Sequence, residues 1–221
     1  MAMSMEEGLT QPVLALTFDY GQRAAQCEMR SAAKIAENFK IQHLTLRLPW
    51  FAEFSQASGC NNALLSESVQ IPTPNIAELS DPSFTGMSAK VVWVPNRNGV
   101  FIEIAASIAE SLGAHDIIVG FNREEAQSFP DNSTAYLDAI NRALSFSTSN
   151  AVRVVCPTAT LTKLQIVQEG IKHHFPFELL WSCYRSGTRM CGQCESCLRL
   201  KVAFAKNEIH FSEYFENTSL S

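Results

Sequence analysis

The sequence has no apolar run approaching the roughly 20 residues that a bilayer-spanning helix needs. Met1 to Gly8 holds no basic segment followed by an apolar one, so no secretory signal is expected there. Basic residues are in deficit: 17 Lys and Arg stand against 22 Asp and Glu, a formal charge of −5. A large nucleic-acid surface normally shows as a basic excess, so the balance argues against that class of partner. No internal repeat or low-complexity tract is visible. What remains is an ordinary globular composition, 46% hydrophobic and 18% charged over 221 residues. The expectation is a cytoplasmic protein of one large domain, or of one domain with a small appendage, with no membrane partner.

Cysteine is unevenly spread. Of seven, Cys27, Cys60 and Cys156 are scattered and read as small buried hydrophobes kept reduced. The other four, Cys183, Cys191, Cys194 and Cys197, follow a C-x7-C-x2-C-x2-C pattern near the C-terminus. A tetrahedral zinc ion with S–metal bonds of about 2.3 Å needs thiolates converging from tight turns, and C-x2-C spacings deliver that. Gly192 supplies the backbone freedom such a turn demands. Four sulfurs close the coordination sphere, so one structural Zn²⁺ per chain is expected rather than a hydrolytic metal. Two disulfides are the competing reading, and the lack of any secretory feature weighs against it.

Along the rest of the chain, short apolar runs alternate with amphipathic stretches. Val13–Phe18, Ile41–Leu48, Val91–Val94, Asp116–Val119 and Val152–Val155 read as strands. Segments 22–39, 98–112, 131–144 and 161–173 read as helices, the second stopping at Gly113. Residues 55–90 are rich in Ser, Asn, Pro and Gly, lack periodicity, and are expected to form a long functional or mobile excursion. The alternation predicts an α/β fold with a doubly wound parallel sheet over residues 1–180. A C-terminal zinc element should follow over residues 181–221.

In such a sheet, ligands bind outside the carboxyl ends of the strands. Polar clusters stand at three of them. Asp19-Tyr20-Gly21-Gln22 follows the first strand, Pro95-Asn96-Arg97-Asn98 the third, and Gly120–Glu125 with Asp131-Asn132-Ser133 the fourth. Arg97 between two asparagines suits phosphate or carboxylate oxygens, although a structural ion pair would use the same residue. Asp131-Asn132-Ser133 is equally a helix N-cap by itself, and Glu124 and Glu125 equally a solvated helix face.

Taken together, T-F-D-Y-G-Q-R (Thr17–Arg23), V-P-N-R-N (Val94–Asn98), G-F-N-x-E-E-A-x-x-F-P-D-N-S (Gly120–Ser133) and the four cysteines carry a family resemblance. In order and spacing, from about Pro12 to Lys201, the chain resembles the 7-cyano-7-deazaguanine synthases, N-type ATP pyrophosphatases of queuosine biosynthesis. The resemblance implies ATP-dependent conversion of 7-carboxy-7-deazaguanine and ammonia to the nitrile. Adenylation activates the carboxylate, ammonia displaces AMP to give an amide, and a second activation removes water. It implies ATP with Mg²⁺ as a substrate, an adenine nucleotide alpha hydrolase-like fold, and small molecules as partners; a homodimer is compatible with it. Asp19, Tyr20, Gly21 and Gln22 are then expected near the nucleotide. Arg97 is expected at phosphate or the substrate carboxylate, and Asn122, Glu124, Glu125 and Asp131 at the deazaguanine edge, whose N–H donors call for such acceptors.

The family also implies a first strand followed by an S-G-G-x-D-S/T loop whose backbone N–H groups cradle pyrophosphate. The sequence contains no such motif, and Met1–Gly8 reads as the later turns of the helix that should follow it. Three Met within five residues suggest a reading frame begun at an internal Met codon. On that expectation the chain as written lacks its phosphate cradle, cannot turn over ATP, and is poorly soluble. Two other classes stand beside the synthase reading: a non-catalytic zinc-binding derivative of the enzyme, and a tRNA-thiolating member of the same superfamily.

Overall fold

The computed structural model describes residues 11–59 and 62–220. The readings of Met1–Gly8 and Cys60 lie outside them. The chain forms two compact units, one built on Pro95–Glu169 and the other on Leu14–Val94 together with the chain from Gly170 onward.

The first unit contains a βαβ arrangement. Helix α4 (Arg97–Ser111) leads into β3 (Asp116–Ile118), and α5 (Thr134–Ser147) leads into β4 (Arg153–Val155). β3 and β4 pair in parallel, with Ile117 opposite Val154. Ile102, Ala106 and Ala109 recur at helical spacing on α4 and bury against Leu137 and Leu144 of α5 and Val152 and Val154 at β4. The free edge of β4 is closed by a side chain. Asn141 of α5 donates to Val154 O at 2.9 Å and accepts from Val154 N at 2.6 Å, replacing a ladder partner. α5 starts at Ser133, whose hydroxyl accepts from Tyr136 N at 3.1 Å. The N-cap is therefore Ser133, and Asp131 lies before the helix in a 3-10 turn, Pro130–Asn132.

The second unit opens with the same topology. β1 (Leu14–Asp19) pairs in parallel with β2 (Gln42–Arg47), and α1 (Ala25–Asn38) makes the crossover between them. α2 (Trp50–Ala57) and α3 (Pro82–Val92) follow; after α6 (Lys163–Lys172), most of which belongs to the first unit, the chain resumes this unit with the cysteine-bearing segment and α7 (Glu195–Lys206). Among the described residues each unit holds one two-stranded parallel sheet, so the α/β class with parallel strands stands. No helix among them is long and apolar enough to cross a membrane.

One expected strand is absent. Val91 and Val92 end α3 rather than forming an extended run. Asp81 caps that helix by accepting from Ser83 N at 2.9 Å, and Pro82 fits its first turn. A capped helix that buries Ser88, Ala89 and Val92 on one face outweighs the β-preference of two valines. The rest of the 55–90 excursion is tied down by long-range bonds. Arg23 reaches Val69 O at 3.2 Å, Asn62 reaches Trp93 O at 2.5 Å, and Arg199 of α7 reaches Leu79 O at 3.0 Å. Ser88 donates to Glu195 Oε2 at 2.6 Å, which links α3 to the start of α7.

Candidate metal centre and active-site residues

In the second unit the chain brings Cys183, Cys191, Cys194 and Cys197 together, with all four sulfurs within 4.8 Å of one another. All four residues are buried. No disulfide joins them: the thiols are free, and Cys191 Sγ lies 3.9 Å from Cys197 Sγ, far beyond an S–S bond of about 2.05 Å. A tetrahedron with metal–sulfur bonds of about 2.3 Å has S···S edges of about 3.8 Å, so the spacing matches a metal-binding set.

Local sequence explains the convergence. Gly192 adopts φ +70°, and a side-chain carbon there would run into the carbonyl oxygen of Asn217. The turn it permits aims the amides of Gln193 and Cys194 at Cys191 Sγ, both at 3.4 Å. Cys183 Sγ accepts from Arg185 N at 3.3 Å and Cys191 N at 3.4 Å. Cys194 then caps α7, which places Cys197 in that helix's first turn, where the positive end of the dipole favours a thiolate. Hydrogen bonds from Cys183 and the other thiols, with the Gln193 amide, pull the Cys191 thiol far below its ordinary value. The thiols around it, Cys194 and Cys197, are pushed up, chiefly by their hydrogen bonds to Cys183 and Cys191, with burial and the neighbouring sulfur's charge adding to this. A divalent cation removes that conflict, and four buried soft donors are the set that zinc prefers.

At the end of β1, Asp19 Oδ1 accepts from Gly21 N at 3.1 Å, and Gly21 sits at φ +85°. A Cβ at Gly21 would lie 2.7 Å from Ala52 Cβ, so only glycine fits. Gln22 is buried and holds the turn from both sides. Its Oε1 accepts from Tyr20 N at 2.9 Å, and its Nε2 donates to Phe18 O at 3.1 Å and Glu28 Oε2 at 2.7 Å. Tyr20 is buried edge-on against Phe51, with centroids 5.9 Å apart. Gln22 is thus committed to shaping the turn, which leaves Asp19, 3.9 Å from the exposed Arg47, as its outward polar group.

In the first unit, Arg97 opens α4 and Asp131 lies in the turn before α5. Arg97 Nε donates to Asn98 Oδ1 at 3.3 Å, and Asn98 Nδ2 donates to Asn132 Oδ1 at 2.8 Å, tying the two segments together. Burial pushes the Asp131 carboxyl above its ordinary value, and the Arg97 guanidinium pulls partly against that. Asp131 Oδ1 is buried and has no hydrogen-bond partner among the described residues. Burial, with the charges of Asp131 and Glu103, also raises the Tyr136 hydroxyl.

Asn122 is buried, and its Oδ1 caps the next turn by accepting from Glu124 N at 3.1 Å and Glu125 N at 2.9 Å. Glu124 Oε2 accepts from Lys163 N at 2.6 Å, and Glu125 lies 3.5 Å from Lys163 Nζ. These two glutamates are engaged at the start of α6. Asp131 is the carboxylate of the group left with an open acceptor. Asn98, Asn132, Tyr136 and Lys163 were not singled out from sequence. Asn98 and Asn132 stood inside the polar clusters, but Tyr136 and Lys163 carried no signal, because a helix residue's reach to a distant turn is invisible in spacing.

Parallel βαβ units, polar turns at strand ends and a cluster of four buried cysteines define an α/β protein whose C-terminal segment could hold a metal ion. The family described as queuosine biosynthesis protein QueC matches residues 1–208, and the chain belongs to it. A 7-cyano-7-deazaguanine synthase of Bdellovibrio bacteriovorus is 49% identical over 204 residues, 92% of this chain and 86% of the relative. One of Pelotomaculum thermopropionicum is 46% identical over 199 residues, 90% of this chain and 87% of the relative. One of Desulforamulus reducens is 41% identical over 215 residues, 97% and 91% of the two chains.

Proposed function

We propose that the chain is a 7-cyano-7-deazaguanine synthase, which uses ATP to convert 7-carboxy-7-deazaguanine and ammonia into the nitrile. The observation that carries this reading is the family match together with relatives of that name along nearly the whole chain. The same names speak against a tRNA-thiolating enzyme and against a purely zinc-binding derivative. The fold proposed is the doubly wound, adenine nucleotide alpha hydrolase-like sheet of the superfamily.

The chemistry assigns work to the residues. A carboxylate is a poor electrophile until its oxygen joins a phosphoanhydride, so the protein must mainly position groups and offset charge. Arg97 is the cation for phosphate or substrate carboxylate oxygens, held in orientation by Asn98. Asp131 offers its open oxygen to the N–H donors of the deazaguanine. Asn122, Glu124 and Glu125 shape the neighbouring turn and supply further acceptors. Asp19, Tyr20, Gly21 and Gln22 form the turn assigned to ATP, whose Mg²⁺ offsets phosphate charge. Zinc is the metal assigned to Cys183, Cys191, Cys194 and Cys197; with four sulfurs it takes no part in the reaction and stabilises the C-terminal segment.

The test is an assay of nitrile formation from ATP, Mg²⁺, ammonia and 7-carboxy-7-deazaguanine, followed by mass spectrometry. It is run on the chain as written and on the translation of its genomic locus with upstream codons included. ATP-dependent nitrile from either supports the reading. Zinc-loaded, folded protein that yields no nitrile in both forms overturns it.

A further inference from the structure

Lys201 is a residue that neither the proposed reaction nor the four-cysteine set accounts for. It lies four residues after Cys197 on α7 and is only 1% exposed, a rare position for a lysine. Its Nζ donates to Asn217 O at 3.2 Å and Ser219 O at 2.5 Å, and lies 6.0 Å from the centre of the Phe215 ring. Among the described residues no carboxylate pairs with it. Burial pushes the Lys201 ammonium below its ordinary value, and the groups that pull against this are Cys197, one helical turn before it, and Cys191. Neutral carbonyls satisfy the donors of a buried ammonium, but they do not cancel its charge.

The carbonyl partners belong to a segment after residue 208, where the family match stops. That segment runs back alongside the cysteine turn. Met190 N donates to Tyr214 O at 3.0 Å, Glu216 N to Met190 O at 2.8 Å, and Asn217 N to Cys191 O at 3.3 Å. Phe215 is fully buried beneath it. Gly192 is bare where the Asn217 carbonyl passes over it. The strap, the turn and Lys201 therefore meet around the same sulfurs.

We propose that Lys201 is the charge-compensating and positioning residue of the cysteine centre, and that it couples metal binding to docking of the strap Tyr214–Ser219. Four thiolates around a divalent cation carry a net charge of −2, and a buried ammonium halves it. The same ammonium holds the two strap carbonyls. The metal fixes where that charge lies; without it the four sulfurs are no longer gathered as one anionic centre, and the ammonium and the strap lose their common anchor. The proposal rests on the zinc assignment above.

The full chain is purified with zinc, and affinity is measured by competition with a chromophoric chelator. Limited proteolysis with mass spectrometry reads cleavage after residue 208. Lys201→Met keeps the length of the side chain and removes its charge, and should weaken zinc binding about tenfold or more, as loss of a supporting residue around metal ligands does. It should also expose the strap to protease, while Lys201→Arg stays within about threefold of wild type. If Lys201 only fills space, the methionine variant should match or exceed wild type in both readouts. That result would overturn the proposal. Should the methionine variant not fold, the wild type decides: the strap is protected with zinc and cleaved after chelation, and equal protection in both states overturns the coupling. A wild type that takes up no zinc defeats the zinc assignment itself; a wild type that binds zinc beside an unaffected Lys201→Met defeats only the role of Lys201.

Discussion

The cysteine centre and the Asp131 turn treat their polar groups in opposite ways. Around the sulfurs, backbone amides point at Cys183 and Cys191, the Gly192 turn is moulded to the Asn217 carbonyl, and a buried lysine is satisfied by two carbonyls. Beside Arg97, a carboxylate is pushed into partial burial with one oxygen unanswered, although Asn98 and Asn132 nearby are paired. Native structures satisfy nearly all buried polar groups, so the exceptions need a reason. A metal centre that holds the fold gains from complete satisfaction. A site that must bind a hydrogen-bonding heterocycle gains from an acceptor kept open, and bears its cost until the ligand arrives.

The largest effect expected is on the satisfied side. Chelating the metal, or Cys194→Ser, removes binding energy that is also folding energy. Against a typical stability of about 5–15 kcal/mol, the second unit should lose cooperative unfolding. Thermal melts followed by circular dichroism, with elemental analysis for zinc, check this. A smaller loss separates paired from unpaired groups within the first unit. Asn141→Leu strips the amide that serves both Val154 N and Val154 O, and should destabilise by about 1–3 kcal/mol in urea titrations.

The unsatisfied side should respond with the opposite sign. Asp131 has its carboxyl pKa raised by burial, so the folded chain holds more protons than the unfolded one between the ordinary carboxylate value and the raised one. Stability should fall as pH rises through that window, and Asp131→Asn should remove the slope. At neutral pH the variant should be as stable as wild type or slightly more so, with zinc content unchanged. Urea midpoints across the acid range report this. The smallest effect is a control: Ser133→Ala removes the α5 cap next to Asp131 and should cost about 1 kcal/mol without altering that pH slope.

How far the sequence reached follows the same division. The cysteine cluster was legible because its ligands sit close together and each spacing carries a geometric demand. Strands β1 to β4 were legible from their apolar residues, and α4 as an apolar helical stretch stopping at Gly113, although which of its apolar residues form the buried face, Ile102, Ala106 and Ala109, was not. The helix Pro82–Val92 was not, because Ser, Thr and Gly dilute its periodicity and its Val pair imitates a strand. At the strand ends the residue types were visible but not their duties. Gln22 and Asn122 proved to be turn-holders, and Glu124 serves the N-terminus of α6, since such partners lie up to 39 residues away. Lys201 gave no signal at all, because lysine on an amphipathic helix ordinarily faces water.

Calorimetric titration of 7-carboxy-7-deazaguanine into zinc-loaded wild type and Asp131→Asn protein tests most directly whether the open acceptor is there for the ligand. Binding to wild type, with affinity at least about tenfold weaker in the variant (about 1.4 kcal/mol) at unchanged zinc content, is the expected result. Equal affinities in the two proteins would contradict it and leave Asp131 as part of the turn before α5 and nothing more.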